Sequence, residues 1–172
     1  MTVTAARPAP VVDLPGVFRT VASSAWVVTT RSPERPVGFT AISVASVSLG
    51  PPLLSFNVSR TSSSLEALLQ EGRAAVHLLA DSQEHLARRF AAPAQGRFPD
   101  DGSWEWDETG LPLLHGAVAR LAGPFHAVVD AGDSVLLLVR PEVTAVAGGT
   151  PLVHHARAYP RLVHAQDGGA PS

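Results

Sequence analysis

The stretch that decides the fold runs from Gly38 to Pro52 and reads Gly-Phe-Thr-Ala-Ile-Ser-Val-Ala-Ser-Val-Ser-Leu-Gly-Pro-Pro. Small hydroxyl side chains recur between its apolar residues, at Thr40, Ser43, Ser46 and Ser48. A strand that only fills a core has no need of so many hydroxyls in so short a run. The pattern favours a strand that leads into a loop around a polar, planar ligand, and the double proline ends the run.

The composition is typical of a globular chain and excludes several classes of chemistry. The 172 residues suffice for one domain with a full core, and 45% of them are hydrophobic. The net charge of −2 argues against a nucleic-acid partner, and no apolar run is long enough to cross a membrane. All 13 basic residues are arginine and cysteine is absent, which excludes lysine Schiff bases, Walker A loops and thiolate chemistry. The first residues lack the pattern of a secretory signal, so we expect a cytoplasmic protein.

Hydrophobic periodicity predicts a mainly β chain with one domain. Residues 1–13 and 165–172 are expected to be disordered ends around a domain of residues 14–164. Strands are predicted at 25–31, 37–44, 53–58, 74–79, 117–129, 134–146, 151–155 and 159–163. Helices are predicted at 15–22, 62–70 and 81–90, and a loop at 93–110. Six or more strands with two or three short helices indicate a small closed or partly closed β-barrel.

The familiar catalytic motifs are missing from the chain. Its histidines form no helical His-x-x-x-His pair, so no metal site is predicted from His77, His85, His115, His126, His154, His155 and His164. No Gly-x-Ser-x-Gly elbow of a serine hydrolase occurs, and no Gly-x-Gly-x-x-Gly motif opens a helix after a strand.

A serine cluster at a predicted helix start is the remaining candidate for a binding site. Ser62, Ser63 and Ser64 follow Arg60, and together they can offer hydroxyls, free backbone N–H groups and a positive charge to a phosphate. An ordinary serine cap explains the same residues, so both interpretations stay open at this point.

Several blocks in the same order resemble the flavin reductase family of the FMN-binding split-barrel fold. The resemblance covers about Val17 to Val163. It rests on Trp26–Thr30, Gly38–Ser43, Ser46–Leu53, the helix residues Gln83, Leu86, Ala87, Phe90 and Ala91, the entry Leu111–Ala117, and the pair Gly132–Asp133.

The resemblance implies a six-stranded split β-barrel of Greek-key type, a homodimer, and binding of FMN or FAD with NADH or NADPH as hydride donor. Such proteins pass reduced flavin by diffusion to a flavin-dependent monooxygenase. The implied ribityl and ring contacts are Thr40, Ala41, Ile42 and Ser43. The implied contacts to the pyrimidine side of the ring are Ser46, Val47 and Ser48. Ser62, Ser64 and Arg60 would meet the phosphate, and Phe90 would lie against the cofactor.

Two positions depart from the family pattern. Ser134 follows Gly132–Asp133 where the family has a histidine near the nicotinamide, and Ile42 stands where many members have asparagine. Serine can hydrogen-bond but cannot stack or carry charge as histidine does. His126, on the preceding predicted strand, is the candidate to replace that histidine in part.

Three functions remain open from the sequence. The first is an NAD(P)H:flavin oxidoreductase that supplies a partner monooxygenase. The second is a flavin-dependent enzyme of the same fold that acts directly on a small substrate in secondary metabolism, which Ser134 and Ile42 motivate. The third is a non-catalytic flavin-binding module.

Overall fold

The computed structural model describes residues 12–163. The predictions for residues 1–11 and 164–172, including His164, therefore lie outside the described residues. The prediction of a mainly β fold with a few short helices is confirmed. Within the described range no helix is both long and apolar enough to cross a membrane.

The described chain contains three short α-helices and twelve strands. The helices are α1 (Leu14–Arg19), α2 (Leu65–Glu71) and α3 (Glu84–Ala91), the last preceded by a 3₁₀ turn at Asp81–Gln83. The strands are β1 (Ser23–Ser24), β2 (Trp26–Arg31), β3 (Pro36–Ala41), β4 (Ala45–Leu49), β5 (Pro52–Ser59), β6 (Arg73–Leu78), β7 (Trp104–Trp106), β8 (Pro112–Leu114), β9 (Ala119–Ala131), β10 (Ser134–Val139), β11 (Val143–Val146) and β12 (Val153–His154).

One antiparallel sheet organises the molecule, in the order β3-β2-β6-β9-β10-β5-β4, with β11 also paired to β9. The long strand β9 joins its two halves. Its residues 119–124 pair with β6, and its residues 125–131 pair with β10 across a bulge. Two small ladders, β1–β12 and β7–β8, lie outside this sheet.

The two halves of the sheet share one core. Buried residues of β2 and β6 pack in the same cluster as buried residues of β5 and β10, so the sheet curls around its apolar face. Phe56 of β5 is fully buried and contacts the rings of Phe39 and Phe125 at centroid distances of 6.2 and 6.4 Å. The sheet has eight strands. No ladder joins its edge strands β3 and β4 within residues 12–163, so hydrogen bonds do not close it into a barrel.

Some element boundaries differ from the sequence-based prediction for identifiable reasons. The predicted strand 134–146 is split into β10 and β11, because Pro141 cannot donate a ladder hydrogen bond. The predicted loop 93–110 contains β7, which pairs with β8. Residues 159–163 form no strand, and the predicted strand 37–44 ends at Ala41 before β4 begins.

A buried polar cluster fastens the 104–114 segment to the sheet. His77 of β6 and Arg120 of β9 are cross-strand partners, and both side chains are buried. The second guanidinium nitrogen of Arg120, Nη2, donates to Oδ2 of Asp107, which directly follows β7. The other carboxylate oxygen of Asp107 accepts from the backbone N–H of Leu111 at 2.9 Å and from Thr109 at 2.8 Å.

The imidazole of His77 completes this cluster. Its Nε2 accepts from the backbone N–H of Leu114 at 3.3 Å, and its Nδ1 lies 3.2 Å from the carbonyl of Val27. Because Leu114 can only donate to Nε2, the proton of the neutral ring is on Nδ1 and points at that carbonyl. The cluster therefore links β2, β6, β8 and β9 with complementary hydrogen bonds.

Candidate functional site

The end of β3 and the middle of β5 meet at Ser43. Its Oγ accepts a hydrogen bond of 3.2 Å from the backbone N–H of Asn57. Ile42 and Ser43 are exposed and form one wall of a groove of about 550 Å³, which we call the Ile42 groove. Its other lining residues come from α1, β5 and the β12 region and include Phe18, Arg19, Asn57, His154 and Arg157. Two of the sequence-predicted ring contacts therefore do face a cavity.

The side chains of Thr40 and Ala41 contact other parts of the protein. Thr40 Oγ1 donates to the carbonyl of Ala87 in α3 at 2.6 Å. Ala41 is buried in the main core. A ligand beside β3 would meet the backbone of these residues, or their neighbours, before it met these side chains.

Ser46, Val47 and Ser48 lie on β4, where the pairing with β5 slips by one residue between Ser46 and Ser48. Ser46 and Ser48 border a second cleft of about 290 Å³, whose other walls are apolar and include Trp26 and Leu121. Val47 is half exposed. Ser46 and Ser48 border the same cleft because alternate residues of a strand face the same side.

The serine cluster before α2 contains a buried polar atom without a partner. Ser64 is 1% exposed, and its Oγ has no hydrogen-bond partner among the described residues. The backbone N–H of Ser64 donates to Ser62 Oγ at 3.2 Å. Since a buried hydroxyl without a partner costs about 1–3 kcal/mol, a water molecule or a ligand atom is expected beside it.

Ser64 lies in a narrow pocket of about 20 Å³ with Gly38, Arg97 and Phe98, which we call the Ser64 pocket. Gly38 is closely surrounded there: an added Cβ would lie 2.9 Å from the carbonyl oxygen of Val28 and 3.0 Å from the Phe90 ring. Phe90 is itself buried in contact with Phe98, at a centroid distance of 4.9 Å. Glycine, which has no Cβ, is therefore required at position 38, at the back of this pocket.

Arg97 brings an uncompensated positive charge to the Ser64 pocket. Its guanidinium donates to the carbonyls of Gly38 at 2.5 Å and Ala92 at 2.9 Å. No carboxylate of residues 12–163 lies within ion-pair distance of it. Burial lowers the pKa of Arg97 from its ordinary value, as expected for a cation partly removed from water. Sequence reasoning missed Arg97, which lies in the predicted loop 59 residues from Gly38.

Arg60 points toward the β9–β10 hairpin. Its Nε donates to the carbonyl of Gly132 at 2.8 Å, and Nη2 lies 2.6 Å from Oδ2 of Asp130. The hydrogen bond and charge of Arg60 lower the pKa of Asp130. A phosphate at Ser62 would have to compete with these contacts for the same guanidinium.

Ser134 opens β10 and is paired with Ser59 of β5. Its hydroxyl donates to Oδ1 of Asp133 at 3.0 Å. Because paired residues of an antiparallel ladder share a face, Ser134 lies on the same outer face as Asn57, which pairs with Leu136 two positions along.

His126 is exposed on β9, at the bulge. Ser134 pairs with Ala131 of that strand. His126 lies five positions before Ala131, which is roughly 16 Å along a strand. The structure therefore does not bring His126 and Ser134 together.

Comparison with known proteins places these features in a family. The model of the flavin reductase like domain matches residues 18–163. An NADH:FMN oxidoreductase of Rhodococcus erythropolis is 39% identical over 154 residues, covering 87% of this chain and 80% of the relative.

Two further proteins are similar over most of the chain. The 4-hydroxyphenylacetate 3-monooxygenase reductase component of Pseudomonas aeruginosa is 36% identical over 141 residues, covering 79% of this chain and 82% of the relative. The solved structure of the NADH:FAD oxidoreductase of Streptomyces globisporus C-1027 superposes with a TM-score of 0.82 at 31% identity, covering 96% of this chain and 98% of the other. The chain belongs to the flavin reductase like domain family.

Proposed function

We propose that the protein is an NAD(P)H:flavin oxidoreductase that reduces FMN or FAD and supplies the reduced flavin to a partner monooxygenase by diffusion. The observation that carries the proposal is the Ser64 pocket, where an orphaned buried hydroxyl and the uncompensated Arg97 lie beside β3. A phosphate at the mouth of the pocket supplies the negative charge that Arg97 lacks, and a water molecule inside the pocket would connect it to Ser64.

We place the flavin phosphate at the mouth of this pocket, beside Arg97, because the pocket itself has a volume of about 20 Å³ and holds about one water molecule. β3 runs from Gly38, at the pocket, to Ala41, next to the Ile42 groove. A ribityl chain along β3 would connect the two cavities and bring the ring system to Ile42 and Ser43. The predicted contacts of Thr40 and Ala41 are then proposed to be made by their backbone, and those of Ser46, Val47 and Ser48 at the neighbouring cleft.

The bound flavin supplies the chemistry of accepting a hydride from a nicotinamide. The protein's own residues bind and orient it. Ser64 and Arg97 fix the phosphate, while Ser62 holds the backbone of Ser64 through its Oγ. Ser134 is proposed to accept a hydrogen bond from the nicotinamide amide, while its own O–H donates to Asp133, which orients the hydroxyl. His126 is left as a surface residue in this arrangement.

Arg60 is proposed to position the hairpin that carries Ser134. Its guanidinium bonds Gly132 and Asp130, and its backbone N–H donates to the carbonyl of Asp133 at 2.9 Å. The arginine therefore holds the hairpin against the start of the serine cluster. Phe90 is proposed to support the pocket from behind through Gly38 without touching the flavin.

The finer architecture follows the family. We propose that the curled sheet is the split barrel, six-stranded in its core and connected as a Greek key, over a domain of residues 14–164. A homodimer is supported by the apolar surface of α1. No residue of this helix is buried, and its apolar side chains Leu14, Val17 and Phe18 are each more than half exposed, so a second copy could cover them. A cytoplasmic location suits an enzyme that needs nicotinamide nucleotides and has no cysteine.

Replacing the Arg97 or Ser64 side chain is expected to weaken flavin binding. Arg97→Ala removes a charge-assisted contact and should raise the Kd of FMN and FAD about tenfold to a hundredfold, and Ser64→Ala about fivefold. Flavin fluorescence titration measures both values. Arg140→Ala is the matched control, because Arg140 is exposed and pairs with Glu142 away from the pocket. Unchanged flavin affinity in both pocket variants would contradict the proposed phosphate site.

The activity itself is tested by the consumption of NADH or NADPH. We expect consumption to depend on added FMN or FAD and on the protein. A folded protein that binds flavin tightly but oxidises neither nucleotide would instead favour a flavin-dependent enzyme with its own substrate.

A further inference from the structure

The Ile42 groove carries positive charge that its own lining does not balance. Arg19, the last residue of α1, and Arg157, which follows β12, both line the groove, and its lining includes no carboxylate. Both arginines are exposed, and neither forms an ion pair with another residue of the range 12–163. The groove therefore offers two arginines to a ligand, in addition to the surface already proposed for the flavin ring.

Two other large cavities do not share this imbalance. A cleft of about 830 Å³ beside β7 is lined by two arginines but also by Glu34 and Glu71. One of those arginines, Arg31, is held 3.0 Å from Glu71. A hollow of about 520 Å³ beside the serine cluster is lined by Glu66 as well as by Arg60, whose guanidinium already bonds the β9–β10 hairpin. An anionic ligand therefore finds unpaired positive charge at the Ile42 groove rather than at these two cavities.

Arg157 is held at the groove by a strained turn. His155 and Ala158 exchange two backbone hydrogen bonds of 2.9 Å, so Ala156 and Arg157 form the two-residue loop between them. Both loop residues have a positive φ, 49° for Ala156 and 67° for Arg157. Such a loop favours asparagine and glycine, because a Cβ costs free energy in this conformation. The chain thus has an arginine where glycine would be more stable, which indicates a role for the guanidinium.

The nicotinamide nucleotide of the proposed reaction has the chemistry that fits. Its nicotinamide ring has to lie against the flavin ring, which is placed at Ile42 and Ser43, and a ribose links this nicotinamide to a diphosphate. The groove volume of about 550 Å³ lies within the range of about 300–1,000 Å³ of small-molecule sites. Phe18 and Ile42 offer apolar surface to planar rings, and arginine is the side chain best suited to phosphate oxygens.

We propose that Arg157, together with Arg19, binds the diphosphate of NADH or NADPH at the Ile42 groove and so positions the nicotinamide on the flavin. The proposal rests on the proposed function, because it places the flavin ring in the same groove. Arg157 contacts the nucleotide but not the reacting atoms. Its loss should therefore raise the KM of NADH about tenfold and change kcat by less than about twofold.

Binding of NAD⁺ to the FMN-loaded protein, measured by isothermal titration calorimetry, tests the proposal without turnover. Arg157→Ala should raise the Kd of NAD⁺ about tenfold, as expected for the loss of one charge-assisted contact, and Arg157→Lys, which keeps the charge, by less than about threefold. Nicotinamide riboside lacks the diphosphate and should bind the wild-type protein and Arg157→Ala equally. Arg161→Ala is the matched control, because Arg161 is exposed and does not line the groove. An unchanged Kd of NAD⁺ in Arg157→Ala, or an equal loss for nicotinamide riboside, would overturn the proposal.

Arg157→Gly separates binding from a structural role. Glycine adopts a positive φ without strain, so this variant should raise the urea midpoint of unfolding and yet weaken NAD⁺ binding as much as Arg157→Ala does. A lower midpoint together with weaker binding would assign the arginine to the stability of the turn and overturn the proposal.

The two flavins distinguish the source of the diphosphate, since FAD also carries one. The Kd values of FMN and FAD should change by less than about twofold in Arg157→Ala, because the flavin phosphate is placed beside Arg97. A selective loss of FAD affinity would assign Arg157 to the flavin and overturn the proposal. Failure of the proposed function is distinguishable, because the wild-type protein would then bind neither flavin and oxidise no NADH.

Discussion

Asp107→Ala is expected to lower the free energy of unfolding by about 3–5 kcal/mol, which is the usual cost of removing one partner of a buried ion pair. Arg120 is 8% exposed, and its Nε already has no hydrogen-bond partner among residues 12–163. Without Asp107 its charge would stay buried and unpaired. The same substitution removes the acceptor for Thr109 and for the backbone N–H of Leu111. Urea unfolding followed by circular dichroism measures the difference.

Glu84→Ala is the matched control for this prediction. Glu84 pairs with Arg88 at 2.6 Å on the exposed surface of α3, so its loss should cost less than about 1 kcal/mol. If Asp107→Ala were no more costly than Glu84→Ala, the buried cluster would not stabilise the fold as argued.

The second large effect is a loss of stability in mild acid that originates from His77. Complete burial, and then the charge of Arg120, lower the pKa of His77 to about 3, against the opposing hydrogen bond to Val27 and the charge of Asp107. The unfolded chain takes up a proton near pH 6.5, while the folded chain does not until about pH 3. Stability from His77 is therefore complete above pH 6.5 and is lost as the pH falls through this window.

The expected slope is about 1.4 kcal/mol per pH unit below pH 6.5, or about 3 kcal/mol by pH 4. Urea unfolding at a series of pH values measures it. Between pH 6.5 and about 5 the carboxylates contribute little, because carboxylates with lowered pKa values lose their contribution below that range. The pKa of Asp107 is lowered: burial opposes its charged form, but the hydrogen bonds from Leu111 and Thr109 and the charge of Arg120 outweigh it. Its own contribution is lost only at more acidic pH.

His77→Gln separates this effect from general acid unfolding. Glutamine keeps a donor and an acceptor but does not titrate, so the variant should be less stable at neutral pH and show a flatter dependence on pH. A wild-type stability that does not change between pH 6.5 and 4, or an equally steep slope in His77→Gln, would contradict the account of the buried imidazole.

Local sequence patterns correctly predict those strands and turns whose structure depends on residues close together in the chain. The apolar run around Val27 and Val28 predicts β2, and the residues Gly132 and Asp133 predict the β9–β10 turn; both are found. The loop around β7 was not recognised as containing a strand, because its ladder partner β8 lies several residues further along the chain. Hydrophobicity alone predicts one strand over residues 134–146, but β10 ends before Pro141.

The candidate site could be predicted only in part, because distant contacts decide it. The hydroxyl-rich segment indicated a ligand beside β3, and Ser43 does border a cavity. Arg60 is predicted to meet the phosphate because it precedes the serine cluster, and its contacts with Gly132 and Asp130 come from a hairpin far along the chain that the local sequence does not reveal. Arg97 reaches Gly38 from a loop without periodicity, and no local signal marks it.

Burial of polar atoms is likewise invisible in a single sequence. Ser62, Ser63 and Ser64 look alike in the chain, but only Ser64 is buried. The unpartnered hydroxyl of Ser64 is apparent only in the folded chain, where the side chain is buried.

Anaerobic stopped-flow mixing with NADH and FAD tests the central claim most directly. We predict that nicotinamide absorbance and oxidised-flavin absorbance fall together, with a rate that depends on the protein concentration and decreases in Arg97→Ala at subsaturating flavin. Folded wild-type protein that leaves both absorbances unchanged, with FMN as with FAD and with NADPH as with NADH, would contradict a flavin reductase.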